Sequence, residues 1–240
     1  MSAKKRVLIT GGSSGIGLAT AQRFAKDGAI VSIVDIKAGE GKAVCDKTGG
    51  IFFENNVGVY KPTEENVTKL CGKFGGLDIL INCAGIAISK MIWEMDPTEW
   101  DSVMRINLTA SFYYIRASAP IFRKQKSGVI INISSINALR GKAGLSSYSA
   151  AKAGLIGLTR TVARELGKYG VRVNAIAPGW VDTPMTQKYP TELVEKARQE
   201  SALGKIAKPE DIVNVIYFLC SDEAKHITGV VLPVDGGQTA

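Results

Sequence analysis

The stretch Arg6-Val7-Leu8-Ile9-Thr10-Gly11-Gly12-Ser13-Ser14-Gly15-Ile16-Gly17-Leu18-Ala19-Thr20-Ala21-Gln22-Arg23-Phe24-Ala25 decides the fold. An apolar run, a glycine turn and a helical pattern follow one another without a gap, which reads as strand, turn and helix. Glycine permits the tight turn and lets backbone N–H groups approach a phosphate with no Cβ in the way. The helix N-terminus near Gly15 adds unpaired N–H groups and a positive dipole end. A second apolar run, Ile30-Val31-Ser32-Ile33-Val34, ends in Asp35. That acid lies roughly 20 residues past the glycines, where a dinucleotide fold sets a carboxylate against the adenosine ribose hydroxyls. A carboxylate there favours a free 2′-OH and repels a 2′-phosphate. Ser14 brings no cation, and Lys37 is the one nearby positive charge, so NAD(H) is expected over NADP(H). Asp35 also reads as an N-cap for the helix after Ile36.

The same alternation continues outward to both ends. Strands are expected near 5–10, 30–35, 51–54, 78–82, 128–134, 171–176 and 229–234. Helices are expected near 15–27, 38–48, 62–74, 98–123, 147–168, 190–202 and 209–220. Runs such as Gly128-Val129-Ile130-Ile131-Asn132-Ile133 are apolar without alternation, as in a parallel sheet covered on both faces. The fold class is therefore α/β: a single-domain doubly wound parallel sheet over residues 1–240, a Rossmann fold with helices on both faces. Residues 184–208 interrupt the rhythm with Pro184, Pro190 and Gly204 around one amphipathic helix, and read as a substrate lid.

With 240 residues, 45% hydrophobic and 22% charged, the composition is that of a globular chain. No apolar run approaches the roughly 20 residues that span a bilayer. Met1–Arg6 runs straight into the first strand, leaving no room for a secretory leader, so a cytoplasmic location is expected. Cys45, Cys71, Cys83 and Cys220 are scattered and His226 is the lone histidine, which predicts no metal site and no disulfide frame. No GxSxG elbow accompanies that histidine, which argues against a hydrolase. The net charge of +8 is spread along the chain without a basic, aromatic-laced block, so nucleic acid is not an expected partner.

Tyr148 and Lys152 lie one helical turn apart on one face. An ammonium beside a phenol favours the phenolate and moves its pKa toward working pH. Polar groups gather at carboxyl ends of expected strands: Asn82, Ser134 and Ser135, and Pro178-Gly179 followed by Asp182-Thr183. Asn107 sits mid-helix between apolar neighbours, where its propensity is poor.

Taken together, Thr10-Gly11-x-x-x-Gly15-x-Gly17, Asn82-x-Ala84-Gly85, Asn107, Ser135, Tyr148-x-x-x-Lys152, Pro178-Gly179 with Thr183, and Asp235-Gly236-Gly237 resemble the short-chain dehydrogenase/reductase family over essentially the whole chain. The resemblance implies an oxidoreductase that moves a hydride between a nicotinamide cofactor and a carbonyl or secondary alcohol. It implies that Tyr148 is the general acid/base and that Lys152 binds the nicotinamide ribose and lowers the Tyr148 pKa. Ser135, thirteen residues before the tyrosine, would hydrogen-bond the substrate oxygen in preference to Ser134. Asn107 would hold a water of the proton relay. The implied cofactor-binding set is Gly11, Ser13, Ser14, Gly15, Ile16, Gly17, Asp35, Asn56, Val57, Asn82, Ala84, Gly85, Tyr148, Lys152, Pro178, Gly179, Val181 and Thr183. Thr183 would hold the carboxamide and Asn82 would brace the central sheet. Many relatives place an Asp after strand three; here Asn56 stands in as a partner for the adenine amino group.

The C-terminal half is most similar to 3-oxoacyl-[acyl carrier protein] reductases, which implies a β-keto acyl thioester substrate. Those reductases usually take NADPH, against Asp35, and tend to carry an Arg where Val129 stands here. Arg172 and the net charge are compatible with an acidic carrier. The alternative is an NAD-dependent sugar or secondary-alcohol dehydrogenase; a catalytically silent NAD(H)-binding regulator would be expected to lose Tyr148, Lys152 or Ser135. Ile86, Leu139, Leu145, Trp180, Met185 and Tyr189 are candidate substrate-pocket walls. Apolar surface on 98–123 and 147–168, with the family resemblance, implies a homotetramer through these helices and the last strand.

Overall fold

The computed structural model describes residues 4–240; Met1–Ala3, part of the segment on which the expectation of no leader rests, lie outside the described residues. The elements are β1 (Arg6–Thr10), α1 (Gly15–Lys26), β2 (Ile30–Asp35), α2 (Gly39–Thr48), β3 (Phe52–Glu54), α3 (Tyr60–Phe74), β4 (Ile79–Asn82), α4 (Pro97–Met104), α5 (Ala110–Gln125), β5 (Gly128–Ile133), α6 (Asn137–Arg140), α7 (Ser146–Gly167), β6 (Val171–Pro178), α8 (Thr191–Glu200), α9 (Pro209–Cys220) and β7 (Val231–Val234). The strands form one parallel sheet of seven in the order β3-β2-β1-β4-β5-β6-β7.

Both faces of the sheet are covered, which explains the unbroken apolar runs. Val7, Ile9, Val31 and Ile33 pack with Phe24 of α1, Val44 of α2 and Ile216 of α9. Leu8, Leu80 and Ile130 point the other way, onto Leu70 of α3, Tyr114 of α5 and Leu166 of α7. Successive strand residues thus serve two cores, as the period of two requires. The strand order reverses between β1 and β4. There the loops at their carboxyl ends diverge and leave a crevice.

One expected element divides. The helix expected over 98–123 is α4 and α5 joined by a π-helical turn, Arg105–Thr109. The cause is Asn107, whose Nδ2 donates to Val103 O four residues back at 2.9 Å. Nδ2 also donates to Ile86 O at 2.8 Å, and Oδ1 accepts from Ile86 N at 3.2 Å. A side chain that competes for the i−4 carbonyl widens the helix locally, and such turns cluster at functional sites. The four-residue α6 and the extension of β6 to Pro178 go beyond the sequence expectation. Asp35 does not cap α2: that helix starts at Gly39 with Ala38 as its N-cap residue.

Candidate active site

The crevice at the strand switch opens into a cleft of about 510 Å3. Its walls include Gly11, Ser14, Gly15, Ile16 and Gly17 from the first turn and Asp35, Asn56 and Val57 from the ends of β2 and β3. Ala84 and Gly85 come from β4, Ser135, Tyr148 and Lys152 from β5 and α7, and Pro178, Gly179, Val181 and Thr183 from β6. Of the sequence candidates for site residues, Ser13, Asn82 and Asn107 stand behind the wall. Ser13 N donates to Asp35 Oδ2 at 3.0 Å and its hydroxyl to Ala38 O at 3.1 Å. Asn82 Nδ2 donates to Asn132 Oδ1 at 2.8 Å, and Asn132 Nδ2 to Thr159 Oγ1 at 2.9 Å. This buried line ties β4 to β5 and α7 beneath the cleft.

The first turn is shaped for close approach. A Cβ on Gly17 would stand 2.1 Å from Gly11 O, and one on Gly11 would stand 2.7 Å from Ala84 Cα. At Gly11 the backbone φ of +69° adds a second reason for glycine. Ser14, at the N-cap of α1, makes no side-chain cap bond. The first-turn N–H groups therefore face the cleft without a side-chain partner, as a pyrophosphate requires. Asp35 is fixed on the wall by Ser13 N and by Ile36 N, which donates to Oδ1 at 2.8 Å. The outer edge of the carboxylate is left for ribose hydroxyls. Asn56 Oδ1 already accepts from Gly58 N at 2.9 Å, so its adenine-facing capacity is a second lone pair. These features fit a dinucleotide.

The far end of the cleft holds the titratable groups. Ser135 Oγ accepts from Asn137 N at 3.1 Å, leaving its own proton to donate. Ser134 Oγ is instead committed to Lys152 O at 2.9 Å. Burial pushes the Tyr148 phenol up to about 12, the Ser135 hydroxyl pulling the other way and the Tyr189 phenol adding to the rise. Burial pushes the Lys152 ammonium down to about 8, partly offset by Cys83. Lys152 Nζ donates to Ile133 O at 2.7 Å and lies 5.7 Å from the centroid of the Tyr148 ring. Desolvation dominates the Tyr148 shift, and the group that lowers it is the Ser135 hydroxyl, not the amine neighbour expected to do so. A Cβ on Gly85 would stand 2.6 Å from Asn107 Oδ1 and 3.5 Å from Lys152 Nζ. Glycine at 85 keeps that corner open.

Among the pocket-wall candidates, Ile86 and Met185 line the cleft. Leu139, Leu145, Trp180 and Tyr189 do not; the last two rings stack edge-on with centroids 5.5 Å apart. Sequence reasoning missed Cys83, Ser102 and Ile106 on the wall. Cys83 sits between two residues singled out at the end of β4, so its place in the chain was signal enough. Ser102 and Ile106 are placed by the π-helical turn and its approach, which no periodicity announces. Arg172 is not free for a carrier: its guanidinium donates to Leu219 O at 2.7 Å and Ser221 O at 3.0 Å, holding the end of α9. Among the described residues no group of three or more His, Cys, Asp or Glu side chains is placed to hold a metal, and no helix is long and apolar enough to cross a membrane.

Residues 11–239 match a family model described as enoyl-(acyl carrier protein) reductase. The 3-oxoacyl-[acyl-carrier-protein] reductase of Thermotoga maritima is 40% identical over 238 residues, covering 97% of each chain. The solved structure of levodione reductase superposes with a TM-score of 0.91 at 36% identity, over 98% of this chain and 97% of that one. A structure described as ribose-5-phosphate isomerase from Brucella melitensis gives a TM-score of 0.92 at 34% identity, over 98% of this chain and 92% of that one. The chain belongs to the short-chain dehydrogenase/reductase family. It is an oxidoreductase that moves a hydride between a nicotinamide cofactor and a CH–OH/C=O group.

Proposed function

We propose that the protein is an NADH-dependent reductase of 3-oxoacyl thioesters. The observation that carries the reading is the convergence of Ser135, Tyr148 and Lys152 at one end of the dinucleotide cleft, in a chain 40% identical to a 3-oxoacyl-[acyl-carrier-protein] reductase. At neutral pH the phenol has its proton to give and the ammonium is charged, which is what reduction needs. The nicotinamide, when bound, supplies the hydride to the carbonyl carbon. Tyr148 gives its proton to the carbonyl oxygen, Ser135 donates a hydrogen bond to that oxygen, and Lys152 stabilises the phenolate left behind. In this reading Asn107 acts from behind, holding the Ile86 loop against the π-helical turn, and Lys152 also receives the nicotinamide ribose. Pro184, Met185 and Thr186 border the cleft, which supports residues 184–208 as a lid over the substrate.

The test is NADH-driven reduction of acetoacetyl-CoA, measured beside oxidation of a panel of polyols and secondary alcohols. Acetoacetyl-CoA is expected to be the better substrate by kcat/KM. A sugar or alcohol outrunning it would hand the assignment to the second reading, an NAD-dependent sugar or secondary-alcohol dehydrogenase. One observation favours that alternative: with Arg172 engaged on α9 and Val129 uncharged, neither position offers a cation to an acidic carrier.

The cofactor expectation rests on Asp35. NADH is expected to outperform NADPH at least tenfold in kcat/KM, about 1.4 kcal/mol, and Asp35→Ala to narrow the gap. An NADPH advantage in the unmodified protein would overturn it. The same reading makes the chain a cytoplasmic homotetramer. Four unpaired thiols suit a reducing compartment. Phe112 on α5 and Leu232 on the edge strand β7 are 43% and 38% exposed, apolar surface that a second subunit would cover.

A further inference from the structure

The tail after β7 turns back over the end of β6, and Gln238 is the residue that joins them. Gln238 is half-buried and none of its atoms borders the cleft. Both ends of its amide are engaged: Oε1 accepts from Trp180 N at 2.9 Å and Nε2 donates to Ala197 O at 3.1 Å. Its backbone carbonyl accepts from Arg140 Nη1 at 3.1 Å, and Arg140 Nη2 meets Glu200 Oε2 at 2.7 Å. One residue therefore binds the end of β6, the helix α8 and the helix α6. Of these elements, the end of β6 borders the site directly. Pro178, Gly179, Val181 and Thr183 form the wall at the end of β6. The α8 helix lies within the lid segment, and α6 follows Ser135.

The bond to Trp180 falls where the sheet gives out. Gly179 N still donates to Val234 O at 3.1 Å as the last rung to β7. One residue on, the side chain of Gln238 replaces the missing strand. The fit is close: a Cβ on Gly179 would stand 2.2 Å from Gln238 Oε1. The far end of α8 is pinned separately, by Ser201 Oγ and Leu203 N, each donating to Gly236 O at 3.1 Å.

We infer that Gln238 is a positioning residue: through Trp180 N it sets the cofactor wall beyond β6, and through Ala197 O it sets the lid helix. The C-terminal tail thereby controls dinucleotide affinity and substrate affinity through two different atoms of one side chain. The inference rests on the hydride-transfer reading for the substrate half and on the dinucleotide site alone for the other.

The two atoms can be separated. Gln238→Met keeps length and removes both bonds. Gln238→Glu keeps an acceptor for Trp180 N but sets a carboxylate against the Ala197 carbonyl, which a protonated carboxyl would relieve. The full-length variants are compared with the unmodified protein for NADH Kd by fluorescence titration, for carbonyl KM and kcat, and for Tm. Gln238→Met is expected to raise both NADH Kd and carbonyl KM several-fold. Gln238→Glu is expected to raise carbonyl KM at neutral pH while leaving NADH Kd near that of the unmodified protein. Its KM ratio to the unmodified protein is expected to fall back toward one as pH drops toward the glutamate range near ~4.3. Unchanged NADH Kd in Gln238→Met, or a Gln238→Glu defect that is flat with pH and tracks Tm alone, would overturn the inference. If the unmodified protein reduces no carbonyl yet Gln238→Met still weakens NADH, the hydride-transfer reading fails and the positioning role on the cofactor wall stands.

Discussion

Tyr148→Phe is expected to cut carbonyl reduction by roughly a thousandfold or more while leaving NADH binding intact. Phenylalanine fills the same volume, so the packing around α7 is preserved and the change removes one oxygen and its proton. That proton has no substitute in the cleft. Ser135 donates a hydrogen bond to the substrate oxygen, but its hydroxyl is a far weaker acid than a phenol. The Lys152 ammonium donates to Ile133 O at 2.7 Å and lies 5.7 Å from the Tyr148 ring centroid, placed to stabilise the phenolate by its charge. Single-turnover reduction with NADH, beside a fluorescence titration of NADH, separates the two effects. Turnover within tenfold of the unmodified protein would remove Tyr148 from the reaction. The pH profile of the unmodified protein carries the same argument. With the phenol near 12 and the ammonium near 8, kcat/KM for reduction is expected to decline above about pH 8, as Lys152 loses the charge that stabilises the phenolate.

Most of this site was legible because it is built from strand ends. A parallel sheet covered on both faces writes its strands as apolar runs, and the first polar or glycine residue after each run lands at one edge of the sheet. Gly11, Asp35, Ser135 and Gly179 are strand-end residues of this kind, Ala84 and the choice of Ser135 over Ser134 follow from the family resemblance, and all of them line the cleft. What escaped was set by side chains acting on backbone. The π-helical turn exists because the Asn107 amide takes the Val103 carbonyl, a competition that helical periodicity does not encode. Trp180 and Tyr189 are expected from the sequence as pocket walls. Their rings stack edge-on, with the Tyr189 phenol still near enough to Tyr148 to raise its pKa, and the tail residue Gln238 holds Trp180 N. Tyr148 and Lys152 were correctly placed on one helix face, but spacing carries no information on desolvation. Burial decides both pKa values here, and it decides them in opposite directions.

That burial makes the protonated lysine a cost to the fold. Lys152 is 3% exposed and its charge has a carbonyl as partner, with the Cys83 thiol, and no carboxylate, among the groups that shift its pKa. A fall from 10.5 to about 8 on folding corresponds to about 3 kcal/mol of destabilisation at neutral pH. Lys152→Met keeps the stem and removes the charge. It also leaves Ile133 O without its donor, at a cost of ~1–3 kcal/mol. The balance favours the variant by about 1 kcal/mol, a rise in Tm of roughly 2–4 °C at pH 7. Turnover is expected to collapse in the same protein. The pH dependence fixes the cause. Between pH 8 and 10.5 the unfolded chain binds more protons at this group than the native one, so stability of the unmodified protein rises with pH across that window. The advantage of Lys152→Met is therefore greatest below pH 8 and shrinks as pH climbs toward 10.5. Tyr148, raised from 10.0 to about 12, adds its own pH dependence mainly between those values, above both pH 7 and pH 9.5. Thermal unfolding at pH 7 and at pH 9.5 measures the two gaps. A variant less stable than the unmodified protein at pH 7, with the same gap at pH 9.5, would show that the ammonium is stabilised in place and that its pKa is not lowered by burial.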